Sequence, residues 1–342
     1  MIGYYAHSQG SGHSNYATLL ARSAVIIFTD YDREFPENVN VVRLDNEDVN
    51  GKELSNDETY LPPYLHHAPL GLRKITHRNL NLLTTVLQQN IQLLIVDVSA
   101  EIAALARVSS LPYAYRRMFG TRDDIPHRAA YKGALFLLAY YPEEFEDPET
   151  PAWIKDKTCY LGFIVQTETQ QKITAATPKA YLTIIQGFGG QQNTDWVLQK
   201  ALQTFPDKTI LVVGPVAQNV QHPNIKYVGV VPSVAPYIKK SQILIASCGT
   251  NLVNDIMRQG KKFLAIPEDR PYEEQLNYAG LLQQKGIACR LTEENFEVTI
   301  IKAETFTHYQ VPAHWLADQD RLYVQIRDYF HSIKEQLHAK HR

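Results

Sequence analysis

The chain has 342 residues and a formal net charge of −2, with 44% hydrophobic and 20% charged residues. This length exceeds what one hydrophobic core usually serves, so we expect two domains of roughly 150 residues each. The near-neutral charge gives no electrostatic basis for binding nucleic acid. No apolar run approaches the ~20 residues that span a bilayer.

The cysteines and the first residues both indicate a cytoplasmic protein. Cys159, Cys248 and Cys289 are odd in number and widely spaced, which fits neither a disulfide framework nor a zinc-binding spacing. The opening MIGYYAHSQG lacks the charged region and the apolar core of a signal peptide. We expect at most peripheral contact with a membrane.

The first half of the chain alternates strand and helix patterns. Ser14 is predicted to cap a helix that reaches Arg22, and Ser99 is predicted to cap a later helix. This succession predicts a parallel sheet with helices on both faces. The predicted strands are IGYYA (2–6), AVIIF (24–28), LLIVDV (93–98) and LPYAY (111–115).

The second half repeats the same pattern after a polar segment, so we predict an α/β protein of two Rossmann-like domains that face each other across a cleft. The predicted domains are 1–165 and 179–315, joined by a linker at 166–178. A last helix within 316–342 has an apolar face that must pack on another element, with the first domain as the candidate. The predicted strands are AYLTII (180–185), TILVVG (209–214), IKYVGVV (225–231), QILIAS (242–247) and FLAIP (263–267).

Three loops of small residues follow predicted strands and open helices: HSQGSGH (7–13), GFGGQ (187–191) and SCGTN (247–251). Helix N-termini present unpaired amides and partial positive charge, so such loops favour phosphate; ordinary turn chemistry is the alternative for each. The chain has neither a P-loop lysine nor a complete G-x-G-x-x-G here, so neither nucleotide hydrolysis nor dinucleotide binding is favoured. The candidate residues are Gly10, Gly12, Gly187, Gly189, Gly190, Ser247, Cys248, Gly249, Thr250 and Asn251.

Acidic side chains near the third loop are candidates for binding sugar hydroxyls. If a helix starts near Asn251, Asp255 lies one turn into it and is placed to bind the hydroxyls of a ribose. A solvated acid that favours the helix dipole is the alternative. Gly260 fits the end of this helix. Glu274 and Gln275 form an acid–amide pair suited to vicinal hydroxyls, or else the polar face of the next helix.

His13 is the main catalytic candidate. Its imidazole is suited to accept a proton from a hydroxyl, and Asp97, at the end of LLIVD, is suited to orient and stabilise it. The alternatives are a hydrogen-bonding histidine at a helix start and a carboxylate that caps a strand end. His7, in the same loop, is the competing candidate.

Two further patterns are better explained by structure than by function. Asp30-Tyr31-Asp32 matches the metal-binding D-x-D pattern, but a turn is the favoured interpretation, and we predict no metal site. A basic cluster is interpreted as a solvated face, with an anionic acceptor or a membrane surface as the alternative. Its members are Arg116, Arg117, Arg122, Arg128 and Lys132.

The motif S-C-G-T-N-x-x-x-D at 247–255, followed by Gly260 and F-L-A-I-P…E-Q, resembles the nucleotide-sugar motif of GT-B glycosyltransferases. It is similar both to UDP-glycosyltransferases and to the bacterial lipid-linked N-acetylglucosaminyltransferases of peptidoglycan synthesis. The resemblance implies that the loop at 247–251 receives the diphosphate and that Asp255 holds the ribose. It also implies that Glu274 and Gln275 hold the donor sugar and that the base lies beside Val231.

The resemblance extends over about residues 1–290, since G-S-G-H (10–13) and G-F-G-G (187–190) resemble the family's glycine-rich loops. More narrowly, G-x-Y-x-H-x-x-G-x-G-H, VDVSAE and RDDIPH look like a little-studied bacterial group of glycosyltransferases. This chain departs from the family pattern at Cys248, Asp255 and Tyr278, where the family more often has glycine, glutamate and asparagine.

The resemblance implies a metal-independent, inverting transfer from a nucleoside-diphosphate sugar, with UDP as the expected carrier, to a hydroxyl acceptor. The family places a catalytic histidine and aspartate at points comparable to His13 and Asp97. Two other classes stay open: a nucleotide-sugar hydrolase on the same fold, and a non-catalytic nucleotide-sugar-binding protein.

Overall fold

The computed structural model of the chain describes residues 1–7, 11–21, 25–32, 34–47, 60–164, 178–187 and 194–340. The chain divides into two units. Unit 1 comprises Met1–Met118, Arg122–Gly162 and Ala317–Arg342, and unit 2 comprises Phe119–Thr121 and Phe163–Leu316. Apart from Pro178, the predicted linker lies outside the described residues.

Unit 1 is built on a parallel sheet whose central strands are apolar on both faces. Runs such as LLIV and FLLA are wholly buried, as expected where helices cover both faces of a sheet. The strand order is β3-β2-β1-β4-β5-β6-β7. The strands are β1 (Ile2–Tyr5), β2 (Val25–Thr29), β3 (Asn40–Arg43), β4 (Leu93–Val96), β5 (Tyr113–Arg117), β6 (Phe136–Ala139) and β7 (Thr158–Tyr160).

The helices of unit 1 bury apolar stripes against this sheet, and the last of them comes from the far end of the chain. In that helix Tyr329 packs its ring 5.1 Å from the ring of Phe136 on β6. Ser99 caps the third helix by accepting a hydrogen bond from the Ile102 amide at 3.2 Å, as predicted. The helices are α1 (Ser11–Leu20), α2 (Arg73–Gln88), α3 (Ala100–Val108), α4 (Ile125–Gly133), α5 (Ala152–Asp156) and α11 (Leu322–Lys340).

Unit 2 repeats the architecture with a second parallel sheet of order β10-β9-β8-β11-β12-β13. Gly260 follows α8 with a φ of +59°, the left-handed conformation typical of the residue after a helix. Its strands are β8 (Ala180–Ile185), β9 (Ile210–Val213), β10 (Ile225–Gly229), β11 (Ser241–Ala246), β12 (Phe263–Ala265) and β13 (Ala288–Arg290). Its helices are α6 (Thr194–Thr204), α7 (Ala235–Lys240), α8 (Thr250–Arg258), α9 (Glu274–Gln284) and α10 (Phe296–Ala303).

The predicted α/β class with two parallel sheets is confirmed, but four strands, β3, β6, β7 and β13, were not predicted. Other differences lie at the ends of elements. The first helix begins at Ser11 rather than after Ser14, so His13 lies in its first turn instead of ending a loop. Strand β5 begins at Tyr113 and continues through Arg116 and Arg117, beyond the predicted end at 115.

The interpretation of Arg116 and Arg117 as part of a solvated face is wrong, because both are buried in β5. Two arginines in the middle of a sheet require paired acids, since an unpaired buried charge is very costly. Arg117 pairs with Glu146 through both terminal nitrogens, with Nη2 donating to Oε1 at 2.8 Å. Arg128 and Lys132 are exposed, as the solvated interpretation requires.

Within the described part of the chain, no helix is both long enough and apolar enough to cross a membrane.

Candidate active site

Each sheet has one point where the strand order reverses, and the candidate site residues follow the strands at these points. The reversal lies between β1 and β4 in unit 1 and between β8 and β11 in unit 2. Open α/β sheets bind ligands at the carboxyl ends of the two strands at such a point, because the following loops diverge there. The β1 and β4 ends lead to His13 and Asp97, and the β11 end leads to Ser247.

The structure brings His13 and Asp97 together. His13 Nδ1 lies 2.9 Å from Asp97 Oδ1, and the His13 side chain is 13% exposed while the Asp97 side chain is fully buried. A carboxylate at Nδ1 selects the tautomer that carries its proton there, which leaves the lone pair on Nε2. This arrangement is the one that general-base catalysis by an imidazole requires.

Asp97 has two further partners that the sequence did not indicate. Tyr4 Oη donates to Oδ2 at 2.9 Å, and Arg116 Nη1 donates to Oδ1 and Oδ2 at 3.0 and 2.8 Å. Burial alone would raise the pKa of Asp97, but the Arg116 guanidinium and His13 outweigh it and hold the pKa well below its usual range. Asp97 is therefore a carboxylate throughout the physiological pH range.

The Arg116 guanidinium contacts two tyrosine rings. Its Cζ lies 4.2 Å from the ring centre of Tyr16 and 5.2 Å from that of Tyr140. The two rings stack on each other with centres 4.7 Å apart and planes 2° from parallel. Cation–π contacts of this kind stabilise a desolvated guanidinium, so Arg116 keeps its charge despite its burial.

His7 belongs to a neighbouring group of charged residues. Its Nε2 lies 3.4 Å from Glu47 Oε1, and its ring centre is 6.1 Å from that of His13. Glu47 and Asp30 each lie 3.5 Å from terminal nitrogens of the buried Arg78. Burial lowers the pKa of His7, with Glu47 opposing this effect. Asp30 of the D-x-D pattern is thus a buried ion-pair partner.

In unit 2 the loop at 247–251 leads directly into α8, which begins at Thr250 with Gly249 as the residue before it. The free amides of this first turn offer donors for an anion. Gly12 lies in the first turn of α1. Among the described residues, apart from its chain neighbours, no atom lies within 4 Å of the position that a Cβ on Gly187 would take. Gly10, Gly189 and Gly190 lie outside the described residues.

Gln275 links this loop to the end of β12. Its Oε1 accepts hydrogen bonds from the amides of Cys248 (2.8 Å) and Glu268 (3.0 Å), and its Nε2 donates to Glu268 Oε2 at 3.0 Å. Burial raises the pKa of the Glu268 carboxyl. Gln275 therefore holds the candidate phosphate loop in place, a role that the acid–amide pattern did not suggest.

Replacing Gln275 by alanine would leave two buried amides without an acceptor, and we expect a loss of about 3 kcal/mol in the free energy of unfolding. Denaturant unfolding measures this loss. The control is Gln284→Ala, at an exposed position of the same helix α9, which should change stability by less than about 0.5 kcal/mol. Unchanged stability in Gln275→Ala would contradict this linking role.

Asp255 lies one turn into α8 with a half-buried side chain. Among the described residues its carboxylate accepts no hydrogen bond. Burial raises its pKa to about 6, and Arg258 opposes this effect only in part. A desolvated acid that accepts no hydrogen bond is typical of a ligand-binding group. Glu274 begins α9 and Val231 follows β10; both are half-buried.

Residues 191–314 match the family model of the glycosyltransferase family 28 C-terminal domain. The spinosyn rhamnosyltransferase SpnG is similar in structure, with a TM-score of 0.60 and 13% identity over 98% of this chain and 100% of that chain. The fold is that of the GT-B glycosyltransferases. MurG of Acinetobacter baumannii (TM-score 0.56, 12% identity, 89% of this chain and 92% of that chain) shares it. UGT2 of Phytolacca americana also shares it, with a TM-score of 0.57 and 14% identity over 96% of this chain and 89% of that chain.

The resemblance to GT-B enzymes predicted from the motif is thereby confirmed. SpnG has been solved with thymidine diphosphate and with spinosyn aglycone, and UGT2 with UDP-2-fluoro-glucose and pterostilbene. Among curated proteins, none matches the chain by sequence. The family match and the GT-B fold support a glycosyltransferase that moves a sugar from a nucleotide sugar.

The matched family region contains the candidate residues of unit 2 from Val231 to Gln275, whereas His13 and Asp97 lie in the part of the GT-B fold that the family model does not match. The roles of individual residues stay predictions.

One group in unit 1 has the residue types of a metal site. Suitable ligand atoms of His66, Asp124 and His127 lie within 4.8 Å of one another. However, Arg122 Nη1 lies 3.4 Å from His127 Nε2, while His127 Nδ1 lies 2.8 Å from Asp124. A metal-bound imidazole usually donates its other N–H to an acceptor, and an arginine cannot accept. The contacts instead describe a hydrogen-bonded group that fixes the start of α4, where the Asp124 side chain accepts from the His127 amide.

Proposed function

We propose that the protein is an inverting glycosyltransferase that moves a sugar from a UDP-linked donor to a hydroxyl acceptor without a divalent metal. The observation that carries the proposal is the pair of His13 and Asp97 at the strand-order reversal of unit 1, with 2.9 Å between Nδ1 and Oδ1. A GT-B fold supplies the donor site, and this pair supplies the base that an acceptor hydroxyl needs.

The donor is held by the residues that follow β10, β11 and β12. The amides at the start of α8 receive the diphosphate, and Asp255 takes the ribose hydroxyls. Glu274 contacts the donor sugar, and the base lies beside Val231. The helix dipole and fixed amides stabilise the charge that develops on the leaving diphosphate, a role that a cation fills in other transferases.

His13 Nε2 accepts the proton of the acceptor hydroxyl as the oxygen attacks the anomeric carbon from the side opposite the diphosphate. One C–O bond forms, the bond to the diphosphate breaks, and configuration inverts. The imidazolium that results is stabilised by the Asp97 carboxylate at Nδ1. Structures of similar fold have been solved with UDP-2-fluoro-glucose and with thymidine diphosphate, which supports a pyrimidine nucleoside diphosphate as the carrier.

We expect UDP to bind with the same affinity in the presence of a chelator and of Mg²⁺, because helix amides supply the phosphate contacts. Calorimetry under both conditions measures this affinity, with Asp255→Ala as the variant that should bind more weakly. Affinity that vanishes with the chelator would contradict the metal-independent mechanism.

Turnover distinguishes the classes that share this donor site. A screen of nucleotide sugars by thermal shift identifies the donor, because a bound ligand raises the melting temperature by mass action. Release of nucleoside diphosphate that depends on an added hydroxyl acceptor supports transfer. Release that needs only water would favour the hydrolase, and binding without any release would favour a non-catalytic protein.

A further inference from the structure

Two adjacent arginines on β5 are buried to a similar extent, but they pair with different acids. Arg116 is 4% exposed and Arg117 is 7% exposed. Because side chains alternate along a strand, they project from opposite faces of the sheet. Arg117 pairs with Glu146 and Thr158, whereas Arg116 pairs with Asp97. Only Arg116 therefore reaches the candidate base.

We propose that Arg116 is a positioning residue that acts on His13 through Asp97, an inference that rests on the proposed function. It fixes the carboxylate that orients the imidazole and offsets part of the negative charge that the carboxylate presents to the imidazole.

The positioning follows from how the Asp97 oxygens are shared. Oδ2 accepts from Tyr4 Oη at 2.9 Å and from Arg116 at 2.8 Å, so it is fully engaged away from the imidazole. Oδ1, which Arg116 reaches at 3.0 Å, is the oxygen that faces His13 Nδ1 at 2.9 Å. Rotation of the carboxylate would break these contacts together. Asp97 is thereby held in the one orientation that keeps the His13 proton on Nδ1.

The charge effect follows from proximity. Arg116 Nη1 lies 3.3 Å from His13 Nδ1 as well as within hydrogen-bonding distance of Asp97. A lone carboxylate beside an imidazole favours the imidazolium, which cannot act as a base, and a nearby guanidinium opposes this. Arg116 thus offsets part of the carboxylate charge at the imidazole, while Asp97 remains in contact with the imidazolium that forms during the reaction.

No other described group around His13 supplies the positive charge that Arg116 places beside Asp97. Tyr4, Tyr16 and Tyr140 are buried and uncharged, since burial raises the pKa of Tyr4 and Tyr140 far above neutrality. His7, whose ring centre is 6.1 Å from that of His13, is itself paired with Glu47. Among the described residues, Arg116 is the permanent positive charge in contact with the His13–Asp97 pair.

The test compares Arg116→Met with Arg117→Met, two variants on the same strand that each remove the arginine partner of one buried acid. The protonation midpoint of His13 is followed by NMR of the imidazole Cε1–H, with the signal assigned by its loss in His13→Gln. We expect the midpoint to move up by about one pH unit in Arg116→Met and to stay unchanged in Arg117→Met. Turnover should show the same shift in the acidic limb of its pH profile.

Equal midpoints in the two methionine variants would overturn the proposal. If Arg116→Met does not fold, Arg116→Lys decides it: the retained charge should keep the midpoint, while loss of the planar fork that holds both oxygens should lower turnover about tenfold. Wild-type turnover per folded molecule in Arg116→Lys would also overturn it. The NMR measurement needs no substrate. Absence of turnover in the wild-type protein would therefore contradict the proposed function, while the NMR comparison would still test the effect of Arg116 on His13.

Discussion

His13→Ala should lower turnover by about 10²- to 10⁴-fold while leaving donor affinity nearly unchanged. A positioned general base typically contributes a factor of this size, and the amides proposed to receive the diphosphate belong to another unit of the chain. The pH–rate profile should also lose its acidic limb, because only the neutral imidazole accepts a proton. Steady-state kinetics, with calorimetry of UDP binding on the same purified sample, measures both quantities.

His7→Ala is the matched control, since His7 is the neighbouring imidazole and the competing candidate for the base. Turnover that survives in His13→Ala and falls in His7→Ala would transfer the role to His7. Asp97→Asn should give a smaller loss of the same kind as His13→Ala, because it removes the charge that stabilises the imidazolium. Unaltered turnover in a folded His13→Ala protein, with His7 intact, would contradict the mechanism.

Asp255→Asn should weaken donor binding by about 1.5–3 kcal/mol and at the same time stabilise the protein above pH 6. The first effect arises because asparagine offers one neutral acceptor oxygen where the carboxylate offers two charged ones. Hydrogen bonds to a charged group contribute about this much, roughly 10- to 150-fold in Kd. The second arises because burial raises the pKa of Asp255 to about 6. A carboxylate ionised at a desolvated position costs folding free energy, and asparagine has no charge to desolvate.

The pH dependence of this stabilisation has a definite sign. Below about pH 4 the aspartic acid is protonated in both the folded and the unfolded chain, so asparagine gains nothing. Between about pH 4 and 6 the unfolded chain releases its proton first, and the wild-type protein loses stability as the pH rises. Above pH 6 the penalty reaches its full size, about 3 kcal/mol at most.

Denaturant unfolding of Asp255→Asn and the wild type at pH 4 and pH 8 measures this difference. Asp195→Asn, an exchange of an acid in the first turn of another unit 2 helix, provides the control. A variant that is less stable than the wild type at pH 8 would show that Asp255 has a structural partner in the protein. Unchanged donor affinity would show that Asp255 does not bind the donor.

The architecture was predictable because strand and helix periods in this sequence are regular. Strand β8 is the run AYLTII at its predicted bounds, and Ser99 caps its helix as predicted. Helix α1 begins at Ser11, earlier than predicted. Ser14 is no better a capping residue than the small residues that precede it, so the sequence does not single out one start. Local patterns locate an element well and its ends poorly.

The site was predictable only in part, since the sequence reveals residue types and not their partners. His13 and Asp97 could be named because each follows an apolar strand. Arg116 could not, because a basic cluster normally indicates a solvated face and nothing in the local pattern indicates a buried acid 19 residues earlier. Gln275 was recognised as part of a motif, yet its three hydrogen bonds depend on the position of β12.

The buried thiol of Cys248 can report the local opening of the candidate phosphate loop at 247–251. Cys248 is 1% exposed, and burial raises its pKa to about 12, so a thiol-directed reagent finds almost no thiolate while the loop is closed. Labelling of Cys248 must therefore proceed through local opening. The labelling rate then reports how often the loop after β11 separates from Gln275. A nucleotide that rests on the amides of α8 would slow this exchange in proportion to its occupancy, which would make donor binding visible without any turnover.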